Sequence, residues 1–168
     1  MPNHVCNTLT IKGNQDDLNR VLNFVKSDRS LFDFDKILPM PDYIYQCDLG
    51  GDVKLLYVRY NWYDWAIDNW GTKWNSQSAL VEDNRIWFLT ANTPCIPVVT
   101  ALAQKFPTMR FEYVFDEGLV GMQGEFVFEN GELIFHEYDN GDEYLIPDDD
   151  YDEDECSNEE EYSDEFPF

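Results

Sequence analysis

The stretch Cys6–Lys26, CNTLTIKGNQDDLNRVLNFVK, predicts how the chain begins its fold. In its first seven residues Leu9 and Ile11 alternate with polar residues, which indicates a strand with one buried face. Gly13 and Asn14 end that strand, and Asn14 can cap a helix because its side chain accepts a hydrogen bond from the first turn. The rest of the stretch repeats apolar residues at helical spacing and therefore predicts an amphipathic helix directly after the strand.

The remainder of the body predicts further strands and helices in a recognisable order. Two hairpins are expected, one turning at Asp83-Asn84 and the other at Asn130-Gly131, a strong hairpin signal. The predicted elements are strand 6–12, helix 15–26, a tryptophan-rich helix that ends at Gly71, strands 78–82 and 85–91, helix 94–106, and strands 109–115, 124–129 and 132–138. This order contains the βαββαβ unit of a ferredoxin-like sandwich. We expect an α+β fold with helices on one face of an antiparallel sheet and an extra C-terminal β-hairpin.

Charge divides the chain into two unequal parts. Residues 1–110 hold all 11 Lys and Arg together with 12 acids, whereas residues 111–168 hold 22 acids and neither Lys nor Arg, so most of the net charge of −23 lies in the second part. Residues 148–165 alone hold 12 acids in 18 positions. Such a run buries too little apolar surface to offset its ordering entropy. We therefore predict one domain, 1–147, and a disordered acidic tail, 148–168.

The composition argues against membrane, metal and catalytic roles. No apolar run approaches the roughly 20 residues of a membrane span, and the N-terminus lacks the pattern of a secretion signal. The four cysteines form no CxxC pair, and His4 with Cys6 supplies only two ligands, too few for a metal site. Phosphate-binding loops and nucleophile motifs are missing from the sequence. We expect an intracellular protein that has no cofactor, no metal, no membrane partner and no enzymatic activity.

Four segments of the body resemble one protein family. They are Met1–Gly13, Ile37–Pro41, Asn69–Asn75 and Phe88–Ala91. Together they are similar to the YubB-type ferredoxin-like family, which phages and plasmids carry. His4 and Asn92 depart from that pattern, since a Trp is expected at both positions. The resemblance implies a ferredoxin-like fold, a mobile-element origin and the cytoplasm of a host cell, and it implies no catalytic residue.

Cations and aromatic rings alternate between residues 54 and 74. Single-stranded nucleic acids are held by such surfaces, because bases stack on the rings and cations follow the phosphates. Trp65 and Trp70 have the helical spacing of core residues, so we expect them to be buried. The predicted nucleic-acid-binding residues are Lys54, Tyr57, Arg59, Tyr60, Trp62, Tyr63, Lys73 and Trp74.

The chain ends on an acidic and aromatic tip, Asp164-Glu165-Phe166-Pro167-Phe168. The tip fits either a frayed terminus with chance aromatics or a docking peptide, in which Phe168 fills an apolar pocket and its carboxylate meets a Lys or Arg. It resembles the C-terminal tip of bacterial single-stranded-DNA-binding proteins (SSB), with Phe166 in place of the usual Leu or Ile. The resemblance implies that Asp164, Glu165, Phe166, Pro167 and Phe168 bind host proteins that recognise SSB tips, which act in replication, recombination and repair.

These features lead to two functional hypotheses. The first is a mobile-element protein whose body binds single-stranded DNA and whose tip recruits host proteins. The alternative is a non-enzymatic acidic decoy, a DNA mimic that inhibits host DNA-processing or defence proteins. The near-neutral balance of residues 1–110 favours the first hypothesis, and the net charge of −23 favours the second.

Overall fold

The computed structural model describes residues 3–50, 60–119 and 121–140. The elements in these ranges are β1 His4–Lys12, α1 Gln15–Val25, α2 Phe34–Ile37, α3 Trp62–Trp70, β2 Gln77–Glu82, β3 Arg85–Ala91, α4 Ile96–Lys105, β4 Arg110–Glu117, β5 Met122–Glu129 and β6 Glu132–Asp139. The predicted boundary at residue 147 and the predicted disorder of 148–168 lie outside the described residues.

The six strands form one antiparallel sheet in the order β2-β3-β1-β4-β5-β6. The first four strands, with α1 and α4 as the connecting helices, make the βαββαβ unit, and the hairpin β5-β6 widens the sheet on the β4 side. The predicted ferredoxin-like fold and its C-terminal hairpin are therefore confirmed.

Helix α1 forms where the sequence predicted it, because its N-cap and its apolar stripe both favour a helix over the same residues. The Asn14 side chain accepts a hydrogen bond from the Asp17 backbone N–H at 2.9 Å. Leu18, Val21 and Val25 are buried in the core. On the sheet side they meet alternate residues of the strands, so burial alternates strictly along β1.

Helix α4 begins at Ile96, two residues after the predicted start. The backbone N–H of Cys95 donates to the Tyr113 hydroxyl at 3.1 Å, and Cys95 has non-helical φ and ψ of −99° and 47°. A tertiary hydrogen bond thus fixes the backbone just before the helix, and helix propensity alone could not predict that shift.

Candidate interaction surfaces

The sheet face opposite the helices consists of alternate strand residues that line up in rows. Residues that pair directly across antiparallel strands point to the same face. The first row holds Gln77, Leu89, Cys6, Asp116, Gln123 and Asp139; the second holds Leu80, Trp87, Thr8, Val114, Glu125 and Glu137; the third holds Glu82, Arg85, Thr10, Glu112, Val127 and Phe135. We call this surface the open face.

The open face changes character from one edge to the other. On β2 and β3 the first two rows are largely apolar, with Leu80 53% exposed and Trp87 half-buried. On β4, β5 and β6 the first two rows carry exposed carboxylates. These are Asp116, Glu125, Glu137 and Asp139, which we call the acidic patch. The patch surrounds a shallow groove of about 320 Å³.

Two carboxylates of the acidic patch face each other directly. Glu125 and Glu137 are cross-strand partners in β5 and β6. Like charges in this position destabilise a sheet. The pairing arises because the register shifts between Val127 and Phe128, which sets Glu137 opposite Glu125 and His136 opposite Phe126. The repulsion between these two carboxylates lowers the stability of the fold, and a cationic ligand would reduce that repulsion.

The cations at the other end of the open face are engaged by carboxylates. Lys12 Nζ lies 2.7 Å from Glu112 Oε1, and Arg110 contacts Glu112 at 3.0 Å and Glu129 at 3.5 Å. The hydrogen bond from Lys12 lowers the pKa of the Glu112 carboxyl below its usual value, with further help from Arg110. Arg85 pairs in register with Glu82. The charges at this end therefore largely compensate one another.

The aromatic–basic stretch is divided between exposed and packed rings. Tyr60 is 62% exposed just before α3, and Lys73 Nζ lies 4.6 Å from the centre of the Trp74 ring just after it. Trp62 is half-buried, and its indole N–H donates to the Cys47 carbonyl at 3.2 Å. Tyr63 is half-buried at 5.8 Å from the Trp62 ring. The predicted site residues Lys54, Tyr57 and Arg59 lie outside the described residues.

Two tryptophans of the stretch pack into or against the core: Trp70 is buried, as predicted, whereas Trp65 is half-buried. Trp70 is 5% exposed, and its indole N–H donates to the Leu38 carbonyl at 2.9 Å. Trp65 packs edge-on against Trp70 with ring centres 5.4 Å apart. These rings anchor α3 to the body, and the buried ring of Trp70 is not available for stacking on bases.

Helix α3 has well-defined ends, which hold the Tyr60 and Trp74 rings apart. The Asn61 side chain accepts a hydrogen bond from the Asp64 backbone N–H at 2.9 Å, and Gly71 closes the helix with φ of 79°. Nine helical residues span about 13 Å. Tyr60 and Trp74 therefore lie beyond opposite ends of α3. Between residues 60 and 74 the sequence has a single cation, Lys73, against two acids.

Polar residues within two of the four sequence segments hold the backbone in place. Asn7 is buried, donates to Thr90 Oγ1 at 3.0 Å, and accepts a 2.6 Å hydrogen bond from the Tyr113 hydroxyl. Burial raises the pKa of the Tyr113 hydroxyl and raises the pKa of the Cys95 thiol to about 12. Asn7, Thr90, Tyr113 and Cys95 thus form a buried neutral network that ties β1, β3 and β4 to the start of α4.

Asn75 plays a similar structural part after α3. Its side-chain amide donates to Asp33 Oδ1 at 2.6 Å and accepts from the Phe34 backbone N–H at 2.9 Å. Thr72, from the same segment, is buried and donates to the Ala91 carbonyl at 2.9 Å. These contacts fix the loop that carries Lys73 and Trp74, so the segment positions a surface.

The described part of the chain gives no sign of a metal centre or a membrane helix. Residues 3–50, 60–119 and 121–140 contain no group of three or more His, Cys, Asp or Glu that could hold a metal ion. Over the same ranges no helix has the length and apolar character needed to span a membrane.

Comparison with known proteins places the chain in a family by its C-terminal part. Residues 69–164 match the family model described as "Ferredoxin-like domain in Api92-like protein". The match covers more than half of the chain, which therefore belongs to this family of ferredoxin-like domains.

Among solved structures, the chain is similar to the crystal structure of the protein api92 from Yersinia pseudotuberculosis, with 20% sequence identity and a TM-score of 0.51. The similarity covers 65% of this chain and 40% of that chain, and it shows the fold alone. The comparison with curated proteins finds no significant match.

Proposed function

We propose that the protein is a non-enzymatic acidic ligand that occupies basic surfaces of host DNA-processing or defence proteins, and so acts as a DNA mimic. The observation that carries the proposal is the charge arrangement on the open face. Lys12 and Arg110 are engaged by Glu112, while the four carboxylates of the acidic patch stand together on three adjacent strands. Residues 111–168, which include the patch, hold 22 acids and neither Lys nor Arg.

The spacing of the acidic patch suits this function. Neighbouring strands are about 4.8 Å apart, and residues two apart on a strand are separated by about 7 Å. Nucleic acids also present closely spaced negative charges, and DNA-binding surfaces place Lys and Arg to match them. A basic groove could therefore engage the patch in place of phosphates. Electrostatic attraction of this kind also raises the rate of association.

The tip and the origin of the protein belong to the same proposal. The tip, Asp164-Glu165-Phe166-Pro167-Phe168, resembles that of SSB and lies outside the described residues. Its proposed partners are host proteins that recognise SSB tips. The YubB-type resemblance of the body supports a mobile-element origin. A phage or plasmid protein with these two features would meet the host's DNA-processing proteins in the host cytoplasm.

A competition experiment tests the part played by the tip. A fluorescent SSB tip peptide is bound to a purified host protein that recognises such tips, and the full chain is added as competitor. Deleting Phe168 removes the anchoring ring and leaves the net charge unchanged, so we expect a loss of at least tenfold, about 1.4 kcal/mol. Phe166→Ala should cost less, because Phe166 lies further from the terminal carboxylate. Equal competition by all three forms would refute a role for the tip.

A second candidate function is binding of single-stranded DNA, as a mobile-element protein that recruits host proteins to the strand. The specific observation in its favour is the pairing of Lys73 Nζ with the Trp74 ring at 4.6 Å, together with the exposed Tyr60 ring. A ring beside a cation can stack on a base while the cation meets a phosphate. Tyr60 and Trp74 are far enough apart to contact different nucleotides.

Fluorescence anisotropy with labelled oligo-dT distinguishes the two functions. It compares the full chain with a version that ends at Pro147, across a series of salt concentrations. If the body binds DNA, the shorter version should bind more tightly because the tethered acids compete for the same cations. That difference should shrink with salt, since the Debye length falls from about 10 Å at 0.1 M to about 3 Å at 1 M. If neither form binds at low salt, DNA binding is refuted and the acidic ligand remains.

A further inference from the structure

The open face has an apolar part that the described helices, on the other side of the sheet, leave uncovered. Leu80 on β2 and Val114 on β4 are 53% and 45% exposed, and Trp87 and Leu89 on β3 are half-buried. We call these four residues the apolar strip. Register brings them together, because Trp87 and Val114 both pair with Thr8 of β1, while Leu80 pairs with Trp87. Apolar side chains that cluster on a surface beside charged groups are typical of a protein-binding site.

Three carboxylates of the acidic patch adjoin the apolar strip. Val114 pairs in register with Glu125, and Glu125 with Glu137. Asp116 lies two residues after Val114 on β4, and alternate residues of a strand share a face. All three carboxylates are exposed. A partner that covers the strip would therefore meet negative charge along one side of its apolar contact.

We propose that the apolar strip binds an amphipathic helix with Lys or Arg along one flank, an inference that rests on the proposed acidic-ligand function and specifies the partner's chemistry. Strands β1, β3 and β4 each have a strand on both sides, which takes up their backbone hydrogen bonds. A segment laid over this part of the face must therefore satisfy its own backbone groups. An α-helix does so internally, and its apolar stripe can pack on a sheet face.

The width of the surface suits one helix. Neighbouring strands are about 4.8 Å apart, so Trp87 on β3 and Glu125 on β5 are separated by about 14 Å across the sheet. A helix with its side chains is about 10–12 Å wide. A helix centred over β1 and β4 would contact Trp87 and Val114 with its apolar stripe, and a Lys or Arg on one flank would reach Glu125 and Asp116.

Charge favours this occupant over a second copy of the chain. The net charge of −23 opposes self-association, because a protein far from neutrality repels its own copies. A basic helix, by contrast, would reduce the repulsion between Glu125 and Glu137, which pair directly. The apolar strip would then add contacts that salt does not screen to an electrostatic attraction that it does.

Two synthetic helical peptides of equal charge test the inference on the full chain by fluorescence anisotropy. One has Leu along one face and Lys along a flank, and in the other every Leu is replaced by Ala, which also favours a helix. The Leu peptide should bind at least tenfold more tightly. Leu80→Gln and Val114→Thr should each weaken the Leu peptide at least threefold and leave the Ala peptide unchanged. Leu31→Gln is the matched control, because Leu31 is 45% exposed in the loop before α2.

A native thiol locates the bound peptide. Cys6 is exposed on the open face, where it pairs in register with Leu89 and Asp116. With Cys47 and Cys156 replaced by Ser, saturating Leu peptide should slow the reaction of Cys6 with N-ethylmaleimide at least fivefold. Cys47, exposed in the loop after α2 and tested with Cys6 and Cys156 replaced by Ser, should react at an unchanged rate.

The outcomes separate helix binding from the acidic-ligand function. If the two peptides bind equally, and Asp116→Asn with Glu125→Gln and Glu137→Gln weakens both, helix binding is overturned and the acidic-ligand function stands. Absence of binding by either peptide, or an unchanged rate at Cys6, overturns helix binding as well, and displacement of DNA from a basic host protein then decides the acidic-ligand function. A wild-type dimer in sedimentation that Leu80→Gln disrupts would show that a second copy occupies the strip, which also overturns the proposal.

Discussion

Replacing Glu125 by Gln should stabilise the fold while it weakens binding to a basic partner. Glu125 is exposed on β5 and pairs directly with Glu137 on β6. If the acidic patch binds a ligand, its closely spaced like charges lower the stability of the protein without that ligand. Gln keeps the size and shape of the side chain and removes its negative charge.

The magnitude follows from the strand geometry. Side chains that pair directly have Cβ atoms about 5 Å apart, and two flexible carboxylates there settle about 6 Å from each other. Two unit charges at that distance in water repel by about 0.7 kcal/mol. We therefore expect Glu125→Gln to raise the free energy of unfolding by about 0.5–1 kcal/mol at low salt. For a domain of this size that corresponds to an increase in Tm of about 1–4 °C.

Urea unfolding followed by tryptophan fluorescence measures the effect at 10 mM and 1 M salt. The gain should largely disappear at 1 M, where the Debye length is about 3 Å. Asp42→Asn is the matched control, because Asp42 is exposed in the loop after α2, outside the sheet. A Glu125→Gln variant that is no more stable than wild type at low salt, or a gain that persists at 1 M, would refute the reasoning.

Three further predictions concern the core and the aromatic surface. Burial raises the pKa of the Cys95 thiol from 9.0 to about 12, so the thiol ionises at lower pH in the unfolded chain, and the stability that it contributes is lost as pH rises from 9 to 12. Between pH 8 and 10.5 the free energy of unfolding, measured with urea, should fall by about 2 kcal/mol more for wild type than for Cys95→Ala. An equal fall in both proteins would contradict this. Asn75→Ala removes the hydrogen bonds with Asp33 and Phe34 and should cost about 1–3 kcal/mol in the same assay, with Asn19→Ala, on the exposed face of α1, as a nearly silent control. If the body binds single-stranded DNA, Tyr60→Ala and Trp74→Ala should each lose about 1–3 kcal/mol of oligo-dT affinity while melting within a few degrees of wild type; variants that unfold instead would show that these rings support the core.

Local patterns predicted the elements of the fold well. Helix α1 and the hairpin at Asn130-Gly131 formed as expected, because cap, turn and apolar spacing agree in each case. The buried position of Trp70 also followed from spacing, whereas Trp65 packs against the core and stays half-buried. Where local preference and tertiary contacts compete, as at the start of α4, the sequence pattern misplaced the boundary by two residues.

The acidic patch could not be read from alternation alone. A regular hairpin about Asn130-Gly131 would set Glu125 opposite His136, whereas the register shift sets it opposite Glu137. Bulges of this kind depend on packing across the whole sheet and have no reliable local signal. Asp116 joins the patch only because β4 pairs with β5, and this pairing is a tertiary contact that local sequence patterns do not specify. The acidic half was visible in the sequence, but its concentration on one face was not.

The most direct test of the acidic-ligand function is displacement of labelled duplex DNA from a purified basic DNA-processing protein of the host. One variant neutralises the patch by Asp116→Asn, Glu125→Gln, Glu137→Gln and Asp139→Asn. The control neutralises four exposed acids elsewhere by Asp28→Asn, Asp42→Asn, Asp48→Asn and Asp68→Asn, which gives the same net charge. Wild type and control should displace the DNA equally, and the patch variant should be at least tenfold weaker. Failure of wild type to displace DNA, or equal weakening of both variants, would contradict the account.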